Sequence, residues 1–125
     1  MPAFEVTTEV TGRASRETHV SVDSDRVTVR ALIEGKVRAE IEDWRRRGLA
    51  EFGSEYRDGA WNVKSGARRR RVDEDTEVRS AIAAFEGGRF LILVGDEQVT
   101  DLDACVLVSP DIRVRFLRIV ALAGG

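Results

Sequence analysis

Few side chains in this sequence have chemistry to offer. His19 and Cys105 are the only histidine and the only cysteine, so neither an internal disulfide nor the usual tetrahedral zinc set can be built. His19 falls on the polar phase of an alternating stretch, has no sequence partner for a catalytic triad, and reads as a surface residue. Cys105, within Asp101-Leu102-Asp103-Ala104-Cys105-Val106-Leu107, lacks a nearby His, Lys or Arg to lower its pKa. It reads as a small buried residue rather than a catalytic thiol. Asp101 and Asp103 suit the solvation and capping of a turn better than acid–base work. Phosphate loops of the GxxxxGKS/T type, a GxGxxG after a strand, HExxH and GxSxG are all missing from the sequence. The expectation is a protein that is not itself an enzyme and binds no metal or cofactor.

Two other features invite attention. The first is Arg68 to Arg71, followed at once by Asp73, Glu74 and Asp75, which largely cancel its field within a Debye length of about 8–10 Å. This predicts a solvated loop, with a local RNA or partner contact as the alternative. The second is the Gly124-Gly125 ending.

The chain has 20 basic and 22 acidic side chains, for a formal charge of −2 and a pI near 5.5. That balance disfavours general nucleic-acid binding. Eighteen of the basic residues are arginine, for which coding bias is the simplest reading. With 42% hydrophobic and 34% charged residues over 125 positions, the composition predicts a single globular domain over 1–125 and excludes fibrous and disulfide-scaffold classes. The opening residues alternate and carry acids, unlike a signal peptide, and the apolar runs are far short of the ~20 residues of a membrane helix. A soluble cytoplasmic domain is expected.

The elements that must position these residues follow from periodicity. Phe4, Val6, Thr8 and Val10 alternate with Glu5, Thr7, Glu9 and Thr11, then Thr18, Val20 and Val22 with His19, Ser21 and Asp23. With Gly12 and a polar turn over 13–16 between them, they predict a β-hairpin. Val29, Leu32, Ile33, Val37, Ile41 and Trp44 then recur at helical spacing, with Arg30, Glu34, Lys36, Arg38, Glu40 and Glu42 assigned to the polar side. Thr28 or Asp25 is the candidate N-cap. Periodicity is lost over 53–72, which reads as an inserted loop. A second helix is expected from the acids at 73–77, from Val78, Ile82 and Phe85, and from the Gly87-Gly88 stop. Phe90 to Val94 reads as a strand buried on both faces or heavily covered. Gly95-Asp96 turns it into a short strand over 97–100. The last strand follows Pro110-Asp111, with Ile112, Val114 and Phe116 inward and Arg113 and Arg115 outward. A right-handed crossover sets that strand parallel to the first, in the middle of a mixed sheet. The expected class is α+β, a mixed sheet packed on one main helix, with an inserted loop and a second helix.

Val27 to Ile33, Leu93 to Val99, Val114 to Leu117 and Leu122 to Gly125 together resemble the ubiquitin-like β-grasp superfamily. The likeness is greatest to its prokaryotic sulfur carriers, the molybdopterin-synthase small subunit and the thiamine-biosynthesis carrier, with bacterial ubiquitin-like modifiers as the neighbouring branch. The tail departs from the molybdopterin type in lacking prolines before the diglycine, and the small carriers have no counterpart of the insertion or the second helix. The resemblance implies a carrier or modifier with a flexible tail over 121–125, its activation site at Gly124 and Gly125. An E1-like enzyme would use ATP and Mg²⁺ to adenylate the Gly125 carboxylate, for thiocarboxylate formation or conjugation to target proteins. A sulfur-accepting enzyme or the targets would be further partners, with Arg113, Arg115, Phe116 and Leu122 as partner-binding residues. The alternative is a non-conjugated β-grasp module that binds protein or RNA. Because 53–72 offers no apolar periodicity, replacing 54–71 by a short Gly/Ser linker is expected to leave a cooperative thermal melt, measured by circular dichroism. Loss of the transition would make Tyr56 and Trp61 core residues.

Overall fold

The computed structural model describes residues 3–10, 15–47 and 73–118. In chain order they form β1 (Ala3–Val10), β2 (Arg16–Ser21), β3 (Arg26–Thr28), α1 (Val29–Arg47), α2 (Glu74–Glu86), β4 (Leu91–Val94), β5 (Glu97–Val99), β6 (Cys105–Leu107) and β7 (Val114–Arg118). The class is α+β. A five-stranded mixed sheet runs in the order β2-β1-β7-β4-β5, and β3 and β6 form a separate two-stranded ribbon. Only the β1–β7 pair is parallel within the large sheet, with Val6 to Val10 facing Val114 to Arg118.

The hairpin follows its alternation: Phe4, Val6, Val20 and Thr18 are buried while Glu5, Glu17 and His19 are exposed. Arg16, expected in the turn, instead begins β2 opposite Thr8. Helix α1 starts where Thr28 Oγ1 accepts the Ala31 N–H at 3.0 Å, an N-cap that meets one of the helix's unpaired donors. Its first two N–H groups donate to Ala104 and Leu102 carbonyls, so the 101–104 turn completes the helix start. Asp101 caps that turn by accepting the Asp103 N–H at 2.9 Å. The apolar stripe of Val29, Leu32, Ile33, Val37 and Ile41 is fully buried.

Helix α2 is closed at both ends. Asp73 accepts the Asp75 N–H, and the Arg89 and Gly88 N–H groups return to the Ala84 and Phe85 carbonyls. That closure requires a left-handed residue, supplied by Gly88 at φ +75°, and glycine adopts this without a Cβ penalty. The helix buries Val78, Ala81, Ala84 and Phe85, and Phe85, Phe90 and Phe116 form a chain of ring contacts between it and the sheet.

Three expectations are corrected. The β4 segment is not covered on both faces: Ile92 and the preceding Phe90 are buried, but Leu91 and Leu93 are half-buried on the opposite face, where no described helix lies. Cys105 is exposed, because residues 105–107 form the outlying strand β6, which pairs only with β3. Lys36 and Glu40, assigned to the polar side of α1, are buried. Their position four residues apart lets them neutralise each other inside, with Lys36 Nζ donating to Glu40 Oε2 at 2.9 Å.

Charge also fastens α2 to α1. Arg38 bridges Glu34, Glu74 and Asp75 at 2.9–3.0 Å, and Arg45 reaches Glu74 at 2.7 Å. Donation by Arg38 first, then Arg45, holds the Glu74 carboxyl below its ordinary range. Lowering a carboxyl pKa in the folded state supplies stability above the unfolded value that disappears as pH falls through the folded one. Amide exchange in α2 is therefore expected to accelerate relative to β1 and β7 between pH 5 and pH 3. Arg38→Ala should flatten that difference, at a stability loss of about 1 kcal/mol or less, as for other partly exposed ion pairs.

Candidate functional site

The site begins with β7, the central strand, whose neighbours β1 and β4 hold it on both sides. Alternation along Val114–Arg118 divides its side chains between two faces. Val114 and Phe116 enter the core, and Arg115 and Leu117 take the other face. Phe116 is 2% exposed, which removes it from the partner-binding set and makes it a packing residue. Arg113 is exposed just before the strand, as expected. Leu122, Gly124 and Gly125 lie outside the described residues, as do the Arg68–Arg71 run and the 53–72 insertion.

On the open face, register places Thr7 beside Arg115, Arg115 beside Leu93, Leu93 beside Gln98, and Leu117 between Glu9 and Leu91. Leu91, Leu93 and Leu117 thus form a half-buried apolar strip across β4 and β7, bordered by Arg115. The Arg115 guanidinium stands 3.9 Å from Glu9 Oε1, while its buried Nε has no hydrogen-bond partner. Because that Nε is enclosed, a carboxylate presented to this face would meet the partly exposed guanidinium charge rather than the orphaned donor. The leucines were not among the sequence-predicted site residues. Their signal was the Leu91/Leu93 phase of an apolar run whose opposite phase, Phe90 and Ile92, also fits a core.

Behind β7 lies a buried polar seam. Glu40 Oε2 accepts from Lys36 Nζ and, at 3.0 Å, from Arg16 Nη2. Lys36, 0% exposed, also places its ammonium 4.9 Å from the centre of the Phe116 ring, a cation–π distance. Thr8, paired to both Arg16 and Phe116 across the sheet, is buried beside them in register. The seam therefore ties α1 to β2, β1 and β7 near the point where the described part of β7 ends.

His19 and Cys105 are far apart in the topology, on β2 of the large sheet and on β6 of the ribbon, so the structure gathers no nucleophile–base pair from them. Among the described residues no group of three or more His, Cys, Asp or Glu side chains could hold a metal ion, and no helix is long and apolar enough to cross a membrane. No family model, curated protein or solved structure matches the chain.

Removing one member of a buried ion pair leaves the other charge uncompensated. Glu40→Ala is expected to destabilise the fold by about 3–5 kcal/mol. Lys36→Met combined with Glu40→Leu, which removes both charges at similar volume, should lose far less. Urea denaturation of the two variants checks the difference.

Proposed function

We propose that the chain is a β-grasp carrier or modifier whose Gly125 carboxylate is activated by an E1-like enzyme. The observation that carries this reading is the strand order β2-β1-β7-β4-β5, with the last strand parallel to the first at the sheet centre and α1 on one face. That order is compatible with a β-grasp sheet, and in the sequence the diglycine follows the central strand. A free carboxylate lacks a good leaving group, so activation must come first. In the partner enzyme, a Gly125 carboxylate oxygen attacks the α-phosphorus of ATP and pyrophosphate leaves. A sulfur nucleophile then attacks the acyl carbon and AMP departs, giving a thiocarboxylate or thioester. Glycine at 124 and 125 leaves no Cβ in the path of the nucleophile.

The open face supports the same reading. Arg113 and Arg115 would meet acidic groups on the activating enzyme, and Leu91, Leu93 and Leu117 would supply the apolar contact between them. Reversing the charge at the exposed Arg113 is expected to slow activation roughly threefold or more with the melting temperature nearly unchanged, because electrostatic complementarity acts on encounter. The decisive measurement is mass spectrometry of protein from its native host. A thiocarboxylate adds about 16 Da, oxygen replaced by sulfur, and a modifier leaves isopeptide-linked tails on other proteins. Deleting Gly125 should abolish both while the domain stays folded. A free carboxylate alone, with no adenylate formed by any E1-like enzyme of the host, overturns the carrier reading in favour of an interaction module.

A further inference from the structure

Strand β2 ends the large sheet, and among the described residues nothing pairs with its outer side. An unpaired strand edge offers a row of donors and acceptors to another strand. Six residues make β2 the longer of the sheet's two edge strands, the other being β5 with three. We propose that β2 pairs antiparallel with β2 of a second copy of this chain, about a two-fold axis at Thr18.

The register follows from the side chains. In a two-fold antiparallel pair, opposite residues must share a sheet face, so Thr18 and Val20 can oppose only inward residues, and Glu17 and His19 only outward ones. Axes at Thr18 and His19 overlap the two strands over about five residues, and an axis at Glu17 over about three. An axis at Glu17 sets Glu17 against Glu17 of the other copy. An axis at His19 sets His19 against His19. An axis at Thr18 places Glu17 opposite His19 of the second copy, and the symmetry produces the contact twice. Of these, only the last sets a carboxylate acceptor opposite an imidazole N–H donor, whereas directly opposed glutamates destabilise a strand pair.

The neighbourhood strengthens the choice. His19 Nδ1 lies 3.6 Å from Glu5 Oε2 on β1, and the two side chains are 71% and 56% exposed. In the dimer each imidazole would stand between Glu5 of its own chain and Glu17 of the second. Glu17 of its own strand, two residues away on the same face, is the remaining acid nearby. Among the described residues, the nearest arginines on that face, Arg113 and Arg115, belong to the β7 side of β1. A contact of five residues per strand is well under the ~800 Å² per partner of a stable dimer, so association should be weak and strongly dependent on concentration.

Sedimentation of the full chain over a concentration series to ~1 mM tests this. Glu17→Lys, which replaces the acceptor opposite His19 of the second copy, should weaken dimerisation roughly fivefold or more. Thr18→Cys in a Cys105→Ser background should then cross-link under mild oxidation, because directly opposed Cα atoms are about 4.5–5.5 Å apart. His19→Cys in the same background should not, since it is displaced by two residues from its copy. Monomer throughout the concentration series, a dimer indifferent to Glu17→Lys, or preferential cross-linking through position 19 each overturns the proposal. None of these results depends on activation of Gly125.

Discussion

The parallel pairing of β1 with β7 is the constraint on which the rest depends. Two parallel neighbours cannot be joined by a hairpin, so the chain between them must leave the sheet and return over one of its faces. That journey holds α1 and α2, and it decides which face is buried. It also makes β7 a central strand although it is the last formed along the described chain. The exposed leucine and arginine side chains of the opposite face follow from the same fact, because both helices pack on the side of Phe116.

The seam between α1 and the sheet holds charge where hydrocarbon would also fit. Lys36 and Glu40 are one helical turn apart, so helix geometry alone sets their pairing. The link from Glu40 to Arg16 then relates the rotation of α1 to the start of β2. A helix held only by Val29, Ile33, Val37 and Ile41 could slide along an apolar surface with small penalties, whereas a displaced Lys36 would lose its carboxylate. Charge here limits the number of ways the same surfaces can meet. Gly35 acts in the same direction, since a Cβ there would fall 3.1 Å from Val20 Cγ1, and its absence lets α1 approach β2 closely.

Much of this was legible in the residue pattern. The hairpin, both helices, the Thr28 cap, the Gly95 turn and the order of elements all arise from local rules of period and capping. The failures have physical causes. A lysine and a glutamate read as solvent-facing until the helix is packed, because only tertiary contact reveals that they satisfy one another. Residues 105–107 show no independent strand signal: three residues become a strand only when Arg26–Thr28 lies beside them. Leu107, in that ribbon, is 45% exposed. An apolar run such as 90–94 carries two phases at once, and the pattern cannot say that only one has a helix above it. For the candidate site, outward placement of Arg113 and Arg115 was legible from alternation, while their leucine neighbours depended on strand order.

The parallel pair also has a mechanical consequence. Val6–Val10 and Val114–Arg118 run side by side in the same direction, so a pull ahead of Ala3 and another beyond Arg118 act along the strands in opposite senses. The hydrogen bonds between them then lie across the load and share it together. An antiparallel hairpin pulled at its open end would surrender its bonds one after another. Tension transmitted through the two ends of this sheet would therefore meet its resistance at the centre, between the first strand and the last.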